Sequence, residues 1–236
     1  MDSESGTISS SNSERRGNIL CAIISHAKST RRNTLRKTWV SLVPPGVDVK
    51  FFVGHQEGEL EDGVINLHCC DNHEGIPDKV REICRWALRH GYEFMWKVDD
   101  DVQLKPSKLL EITDPFYAVI LHTCIYPFIS GFLYGFNRPC MEVLSASDIP
   151  HYENGWDCGY YQDECWVTEN LGRIGIPCTL ITDCGVIFHE FEKAFPPLWV
   201  VAVHGENVPT RSLEIFKQIN GIEKLTTRRL RKRTQK

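Results

Sequence analysis

Residues 92–101 read YEFMWKVDDD, a hydrophobic run that leads directly into three consecutive aspartates. We predict a β-strand over residues 92–98. Asp99, Asp100 and Asp101 are then expected at the carboxyl end of that strand, which is where open α/β sheets place their ligands. This stretch therefore predicts both a fold class and the position of a site.

The segments around this strand alternate between two kinds of pattern. Apolar runs predict further strands at residues 19–24, 49–54, 64–67, 118–123, 129–136 and 179–188. Helical spacing, with proline near a start and glycine after an end, predicts helices at residues 30–39, 77–90, 108–112 and 163–171. Residues 147–154 have the composition of a loop. The alternation predicts an α/β fold with a mostly parallel central sheet flanked by helices.

The chain has 236 residues, 42% of them hydrophobic and 25% charged, which is typical of one globular domain. We predict a disordered leader at residues 1–17, a folded domain at 18–222 and a basic tail at 223–236. The net charge of −4 disfavours a nucleic-acid partner. No apolar stretch approaches the roughly 20 residues of a membrane span, and the leader has no apolar core of a signal peptide.

The ten cysteines are scattered, without the paired CxxC spacing of a structural zinc site. We interpret most of them as buried thiols. In a trimmed piece of a secreted or luminal parent several would instead form disulfides. The first candidates for that alternative are Cys69, Cys70, Cys124, Cys140, Cys158 and Cys165.

The three aspartates have a specific chemistry. Adjacent carboxylates repel one another, so a strand end that carries them commonly has a cation nearby. In an extended chain Asp99 and Asp101 share one face, whereas Asp100 points away. Two hard oxygen ligands with open positions beside them suit Mg²⁺ or Mn²⁺ shared with substrate phosphates. The alternative is an exposed acidic turn, but the hydrophobic strand before the triplet favours a site, and the spacing of a calcium-binding EF-hand is absent.

Two further sets of residues are candidates for chemistry. Asp163 and Glu164 lie at a predicted helix start, where they either complement the helix dipole or supply a general base to a hydroxyl nucleophile. Local sequence favours the first role. His189 and His204 are each either an ordinary core or loop histidine or a third metal ligand. We place His204 first, because the glycine that follows it permits close approach of a phosphate. The basic tail is interpreted as a solvated terminus.

Short blocks of the chain also follow one another in a recognisable order. They are RRNTLRKTW (residues 31–39), FFVG (51–54), WKVDDDV (96–102), SGFLY (130–134) and DECWV (163–167) with residues 171–176. In this order they resemble the β-1,3-galactosyltransferase and Fringe-like glycosyltransferases. A further family block is partly matched by Asp71, Asn72, Gly75, Ile76 and Lys79. The likeness covers roughly residues 18–205, without the family's usual membrane anchor.

The resemblance implies a single catalytic domain of the GT-A type, which is Rossmann-like, with a nucleotide-diphosphate-sugar donor and a divalent metal. It implies metal and diphosphate binding at residues 99–101 and a catalytic base at Glu164, where the family has an aspartate. The acidic order here is Asp-Glu instead of Glu-Asp, so Asp163 and Glu164 both stay candidates for the base.

We expect three more contributions to this site. Arg36 on the first helix is expected to assist the leaving diphosphate. Gly131 and Tyr134 are expected to shape the donor or acceptor pocket. The metal ligands are expected to be Asp99 and Asp101, with His204 as the third.

The resulting hypothesis is a metal-dependent transfer of a hexose, of the galactose or N-acetylhexosamine type, from a UDP-sugar to a glycan or glycoprotein hydroxyl with inversion. The expected cofactor is Mn²⁺ or Mg²⁺. One alternative is a metal-dependent nucleotidyl or phosphoryl transferase, although no P-loop or kinase motif is present. The other is a non-catalytic, metal-stabilised glycan-binding module. We expect a cytoplasmic or otherwise soluble protein if the chain is full length, as the leader from Met1 favours, and the Golgi lumen if it is a trimmed catalytic domain.

Overall fold

Strands and helices alternate through the first half of the chain. The structure is a computed structural model, and it describes residues 18–122, 127–149, 163–181, 184–187, 200–203, 215–217 and 220. Its elements are β1 (Ile19–Ile24), α1 (Arg31–Lys37), β2 (Val47–Val53), β3 (Val64–Asn66), α2 (Ile76–Arg89), β4 (Phe94–Asp99), β5 (Val102–Leu104), β6 (Phe116–His122), β7 (Pro127–Asn137), α3 (Arg138–Ala146), α4 (Asp163–Arg173), β8 (Thr179–Ile181), β9 (Cys184–Ile187) and β10 (Val200–Val203), with short 3₁₀ helices at Trp39–Leu42 and Pro106–Leu110.

A seven-stranded sheet forms the centre of the fold. Its spatial order is β3-β2-β1-β4-β7-β6-β8. β7 runs antiparallel to both of its neighbours, β4 and β6. The other pairings in this sheet are parallel. The predicted class, an α/β fold with a mostly parallel central sheet flanked by helices, is confirmed.

Helices cover the two faces of this sheet, which explains why the sequence of β1 is apolar throughout. Cys21 and Ile23 are fully buried in one core, together with residues of α1 and of both 3₁₀ helices. Leu20 and Ala22 are fully buried in a second core, together with residues of α2, α3 and α4. Successive side chains of a strand point to opposite faces, so a strand covered on both faces needs apolar residues at every position.

A second, three-stranded sheet begins where the three aspartates end. Its order is β5-β10-β9, with β10 antiparallel to β5 and parallel to β9. The indole N–H of the buried Trp39 donates to the carbonyl of Val102, the first residue of β5, at 2.9 Å. This bond fixes the segment that follows the aspartates against the first helical region.

Several elements differ from the sequence prediction. The single strand predicted at residues 179–188 is two strands, because β8 pairs with β6 in the large sheet whereas β9 pairs with β10 in the small one. A helix predicted at 30–39 ends at Lys37, and a 3₁₀ turn follows it. β5, β10 and α3 were not predicted. The start of α3 carries a recognisable signal, since the side chain of Asn137 accepts a hydrogen bond from the Cys140 amide and a proline lies in the first turn.

Three other predictions concern the chain as a whole. The predicted leader and tail lie outside the described residues, so the predicted domain limits stay predictions. None of the helices that the structure describes is long and apolar enough to cross a membrane. The cysteines whose side chains are described are free thiols: Cys21, Cys69, Cys70, Cys84, Cys140, Cys165 and Cys178. Cys124 and Cys158 lie outside the described residues.

Candidate functional site

A cavity of about 420 Å³ opens at the carboxyl ends of β1 and β4. These strands are parallel neighbours, so both deliver their following loops to the same edge of the sheet. The cavity is lined by Ile24, Ser25, His26, Arg31, Asp71, Asn72, His73, Ile76, Lys79, Asp99, Asp100 and Asp101. The predicted aspartates therefore share one cavity with residues from the β1–α1 loop and from the start of α2.

The backbone turns immediately after Asp99, the last residue of β4, and Asp100 and Asp101 form the turn into β5. The expected alternation of an extended chain therefore does not apply to the triplet. Asp100 does not point away from the site, because all three side chains line the cavity.

Asp100 holds the β1–α1 loop in place. Its Oδ2 accepts hydrogen bonds from the hydroxyls of Ser25 at 2.7 Å and Ser29 at 2.6 Å. Its Oδ1 accepts one from Arg31 at 3.2 Å. Both oxygens of this buried carboxylate are thus engaged by protein donors, which gives Asp100 a supporting role.

Asp99 and Asp101 are the other two carboxylates of the triplet that line the cavity. Burial, together with the charges of Asp101 and Asp163, raises the pKa of Asp99 to about 6, although the ammonium of Lys97 opposes the shift. Asp101 Oδ2 lies 3.6 Å from the Arg31 guanidinium. Burial is the largest cause of this raised pKa, and a bound cation would offset the part that is due to the neighbouring carboxylates.

Asp163 and Glu164 open α4 and meet β7. The hydroxyl of Tyr134 donates to Asp163 Oδ2 at 2.5 Å, and the amide of Gly131 donates to Glu164 Oε1 at 2.7 Å. The register between β6 and β7 shifts at this point, since Ala118 pairs with Tyr134 whereas its successor pairs with Ser130. Such bulges re-aim backbone groups beside functional sites. Here the bulge coincides with a Gly131 amide that donates to the helix.

Lys97 joins the two acidic groups. Its side chain is 1% exposed, and its Nζ lies 2.6 Å from Asp99 Oδ1 and 3.4 Å from Asp163 Oδ2. It also donates to the carbonyl of Gly131 and lies 5.2 Å from the centre of the Tyr134 ring. Although burial opposes it, the charges of Asp163 and Asp99 raise the pKa of Lys97, so the side chain carries a positive charge.

The two carboxyls at the start of α4, Asp163 and Glu164, differ in their burial and in their partners. Asp163 is buried and committed to Tyr134 and Lys97. Glu164 is only partly buried. Burial and the adjacent charge of Asp163 raise the pKa of Glu164 to about 8. Burial and Asp163 also raise the pKa of Tyr134 well above its usual value. Burial thus makes the Glu164 carboxyl easier to protonate than an ordinary glutamate.

The predicted role of Arg36 does not match its position. Arg36 pairs with Glu61, donates to the carbonyl of Asp62 at 2.9 Å, and stacks 4.8 Å above the Phe51 ring. It does not line the cavity. The cation that α1 supplies to the aspartates is Arg31, at the first position of the helix.

Sequence reasoning missed the importance of a second buried lysine. Lys79 Nζ lies 2.7 Å from Asp71 Oδ1 and donates to the carbonyl of Ser25 at 3.1 Å. Asp71 also accepts from the amides of Ala27 at 2.8 Å and Gly54 at 2.7 Å. Asp71 therefore ties the ends of β1 and β2 to α2 and shapes one wall of the cavity. The available signal was the partial family block that contains both residues.

Sequence reasoning also left Lys97 out of the predicted site, although the sequence signal for Lys97 was stronger than that for Lys79. A lysine within a strand that is otherwise apolar, two residues before a carboxylate, is unexpected unless the ammonium has a buried partner. His189 and His204, considered as third metal ligands, lie outside the described residues.

The described residues fit a divalent metal held jointly with a substrate. The carboxylates of this cluster outnumber its cations: Asp99, Asp100, Asp101, Asp163 and Glu164 against Lys97 and Arg31. Within the described part of the chain, no group of three or more His, Cys, Asp or Glu side chains is arranged to hold a metal by itself. Mg²⁺ and Mn²⁺ are often bound by one or two carboxylates with the remaining positions left to water and substrate phosphates. Asp99 and Asp101 meet that requirement.

Comparison with solved structures gives a structural likeness, whereas the comparisons of sequence give no match. No family model matches the sequence. No curated protein matches it either. Among solved structures, the chain is similar to a glycosyltransferase involved in the glycosylation of the major capsid of PBCV-1, with 14% sequence identity and a TM-score of 0.49. The likeness covers 83% of this chain and 98% of that one.

Proposed function

We propose that this chain is a glycosyltransferase that uses a nucleotide-diphosphate sugar as donor. The observation that carries the proposal is geometric: Lys97 contacts both Asp99 and Asp163, and the neighbouring Glu164, a partly exposed carboxyl, is held against β7 by the Gly131 amide. A transferase needs two functions close together, namely a site for the leaving diphosphate and a base for the acceptor hydroxyl.

Asp99 and Asp101 form the donor half of the proposed site. They would hold Mn²⁺ or Mg²⁺, which when bound supplies a Lewis acid for the charge on the leaving diphosphate. Arg31 lies beside the same carboxylates and adds a second positive charge facing the cavity. Asp100 keeps the β1–α1 loop, and with it Arg31, in place.

Glu164 forms the acceptor half. Its carboxylate would take the proton from an acceptor hydroxyl as the oxygen attacks the anomeric carbon. Asp163 is already engaged by Tyr134 and Lys97, so we assign it to orientation instead of proton transfer. A base acting directly on the incoming hydroxyl corresponds to a single displacement, which inverts the anomeric centre.

The identity of the substrates rests on the resemblance to the β-1,3-galactosyltransferase and Fringe-like enzymes. We propose a UDP-sugar of the galactose or N-acetylhexosamine type as donor, and a glycan or glycoprotein hydroxyl as acceptor. Metal dependence, donor and inversion are parts of one testable proposal.

The test measures products from a panel of nucleotide sugars with Mn²⁺. We expect release of free UDP, faster with a suitable acceptor, and loss of acceptor-dependent turnover in Glu164→Gln. Glu169→Gln is the matched control, because Glu169 is an exposed glutamate on the same helix. Release of pyrophosphate or phosphoryl transfer would instead support a nucleotidyl or phosphoryl transferase, and binding without turnover would support a glycan-binding module.

A further inference from the structure

Lys97 lies at a buried position where an apolar side chain would cost less free energy to bury than a charged one. It belongs to β4, whose neighbouring residues Trp96 and Val98 are fully buried, and its own side chain is 1% exposed. Removing an ammonium group from water is expensive unless opposite charges and hydrogen bonds replace the water. A charge retained at such a position needs an electrostatic explanation.

The contacts of Lys97 supply one. β4 carries Asp99, α4 carries Asp163, and β7 carries Gly131, and Lys97 Nζ contacts all three of them. These residues are distant in the sequence and belong to different elements. Lys97 is thus a common partner for the donor half and the acceptor half of the cluster.

We propose that Lys97 is a positioning residue that sets the place of the α4 carboxyls relative to Asp99. The inference rests on the proposed function of this site and deepens it. With the ammonium present, Asp99 and Asp163 share one positive charge. Without it, the buried Asp163 and the partly exposed Asp99 repel each other with no cation to offset the repulsion, and the start of α4 moves away from β7.

The Gly131 amide reports on this position without any assay of activity. It donates to Glu164 Oε1, the residue next to Asp163. A shift of the α4 start breaks this hydrogen bond and exposes the amide to exchange with solvent. A lysine that contributes only general stability has no such local effect.

The experiment compares Lys97→Met with Leu144→Ala. Leu144 is fully buried on α3 and does not line the cavity, and its truncation lowers stability through a core cavity. We measure melting temperature, hydrogen exchange at the Gly131 amide, and kcat and donor KM with saturating Mn²⁺. In Lys97→Met we expect Gly131 exchange to rise at least tenfold above that of Leu144→Ala, and kcat to fall about 100-fold with donor KM changed less than about threefold. Leu144→Ala is expected to keep the wild-type kcat.

A double variant covers the case in which Lys97→Met does not fold. Lys97→Met/Asp163→Asn removes one charge of each sign and so avoids an unpaired buried carboxylate. If Lys97 acts through Asp163, the double variant is no slower than Asp163→Asn alone, because one function is lost only once. Multiplied losses of kcat would overturn that coupling.

The outcomes separate this inference from the proposed function. Equal Gly131 exchange in Lys97→Met and Leu144→Ala, or an unchanged kcat in Lys97→Met, overturns the positioning role and leaves the transferase proposal standing. A wild-type protein without sugar transfer overturns the transferase proposal, whereas the exchange measurement still decides whether Lys97 positions α4.

Discussion

Gly131→Ala is expected to lower the activity of this site strongly while it lowers the stability of the protein only a little. A Cβ at Gly131 would lie 2.8 Å from Cδ of Glu164, closer still to Oε1, and 3.3 Å from Asp163 Oδ1. Carbon–oxygen contacts this short do not persist, so the Glu164 carboxyl has to retreat. Retreat breaks its hydrogen bond from the Gly131 amide.

The expected decreases in melting temperature and in kcat depend on which atoms near the new Cβ can move. The obstructing atoms are the end of a flexible side chain, so the fold itself is not forced open. The lost hydrogen bond to a carboxylate corresponds to about 1.5–3 kcal/mol at most. Displacing a base by roughly 1 Å from its working geometry costs on the order of 100-fold in rate. We therefore expect a small decrease in melting temperature and a decrease in kcat of about two orders of magnitude.

Gly172→Ala is the matched control. Gly172 lies on the same helix as Glu164, and a Cβ there meets no atom within 4 Å. The same substitution at an open helical position is expected to be neutral or to stabilise by roughly 0.5–1 kcal/mol. UDP release with Mn²⁺ and thermal unfolding are measured for both variants. If Gly131→Ala turns over donor and acceptor as fast as Gly172→Ala does, the assigned position of Glu164 as the base is refuted.

Three further predictions concern charge. Asp101→Asn is expected to lower Mn²⁺-dependent UDP release at least 100-fold with an unchanged melting temperature, measured across a metal titration; full activity would contradict the metal assignment. Since Glu164 acts deprotonated and its pKa is raised to about 8, kcat should rise with pH up to that value and then level off; Asp163→Asn, which removes a charge that raises this pKa, should shift the rise to lower pH. Although burial opposes it, hydrogen bonds from Lys79 and two backbone amides lower the pKa of Asp71, so its stabilisation is present above the unfolded value of about 3.9 and is lost as the pH falls through the folded one. Asp71→Asn leaves the Lys79 ammonium without its carboxylate, so urea unfolding at pH 7 should show a loss of roughly 3–5 kcal/mol that shrinks toward pH 3, and an equal loss at both pH values would contradict this account.

The central sheet could be predicted because its evidence is local. Every residue of β1 is buried, as are residues 51–53 of β2 and 94–98 of β4, and burial on both faces constrains such stretches to be largely apolar. The elements that were not predicted are short, such as β5 and β10, or are defined by the strand with which they pair. Residues 179–188 contain two short apolar segments, and the pairing of one with β6 and of the other with β10 places them in different sheets.

The carboxylates of the candidate site could also be predicted from the sequence, because an apolar strand before three adjacent aspartates favours a site over an exposed acidic turn. Their cationic partners could not be assigned in the same way. Arg31 and Arg36 both lie on α1, and the orientation of that helix against the sheet decides that Arg31 contacts the aspartates whereas Arg36 contacts Glu61.

The sequence by itself determined the α/β class and marked Asp99–Asp101 and Asp163–Glu164 as candidate acidic groups. Only the tertiary structure decided which partners each of these groups has. Tyr134 and Lys97 come from other elements and engage Asp163, whereas burial and the charge of Asp163 raise the pKa of Glu164. The physical reason is that pKa values and charge pairing depend on distances between residues far apart in the chain, and only the folded packing sets those distances.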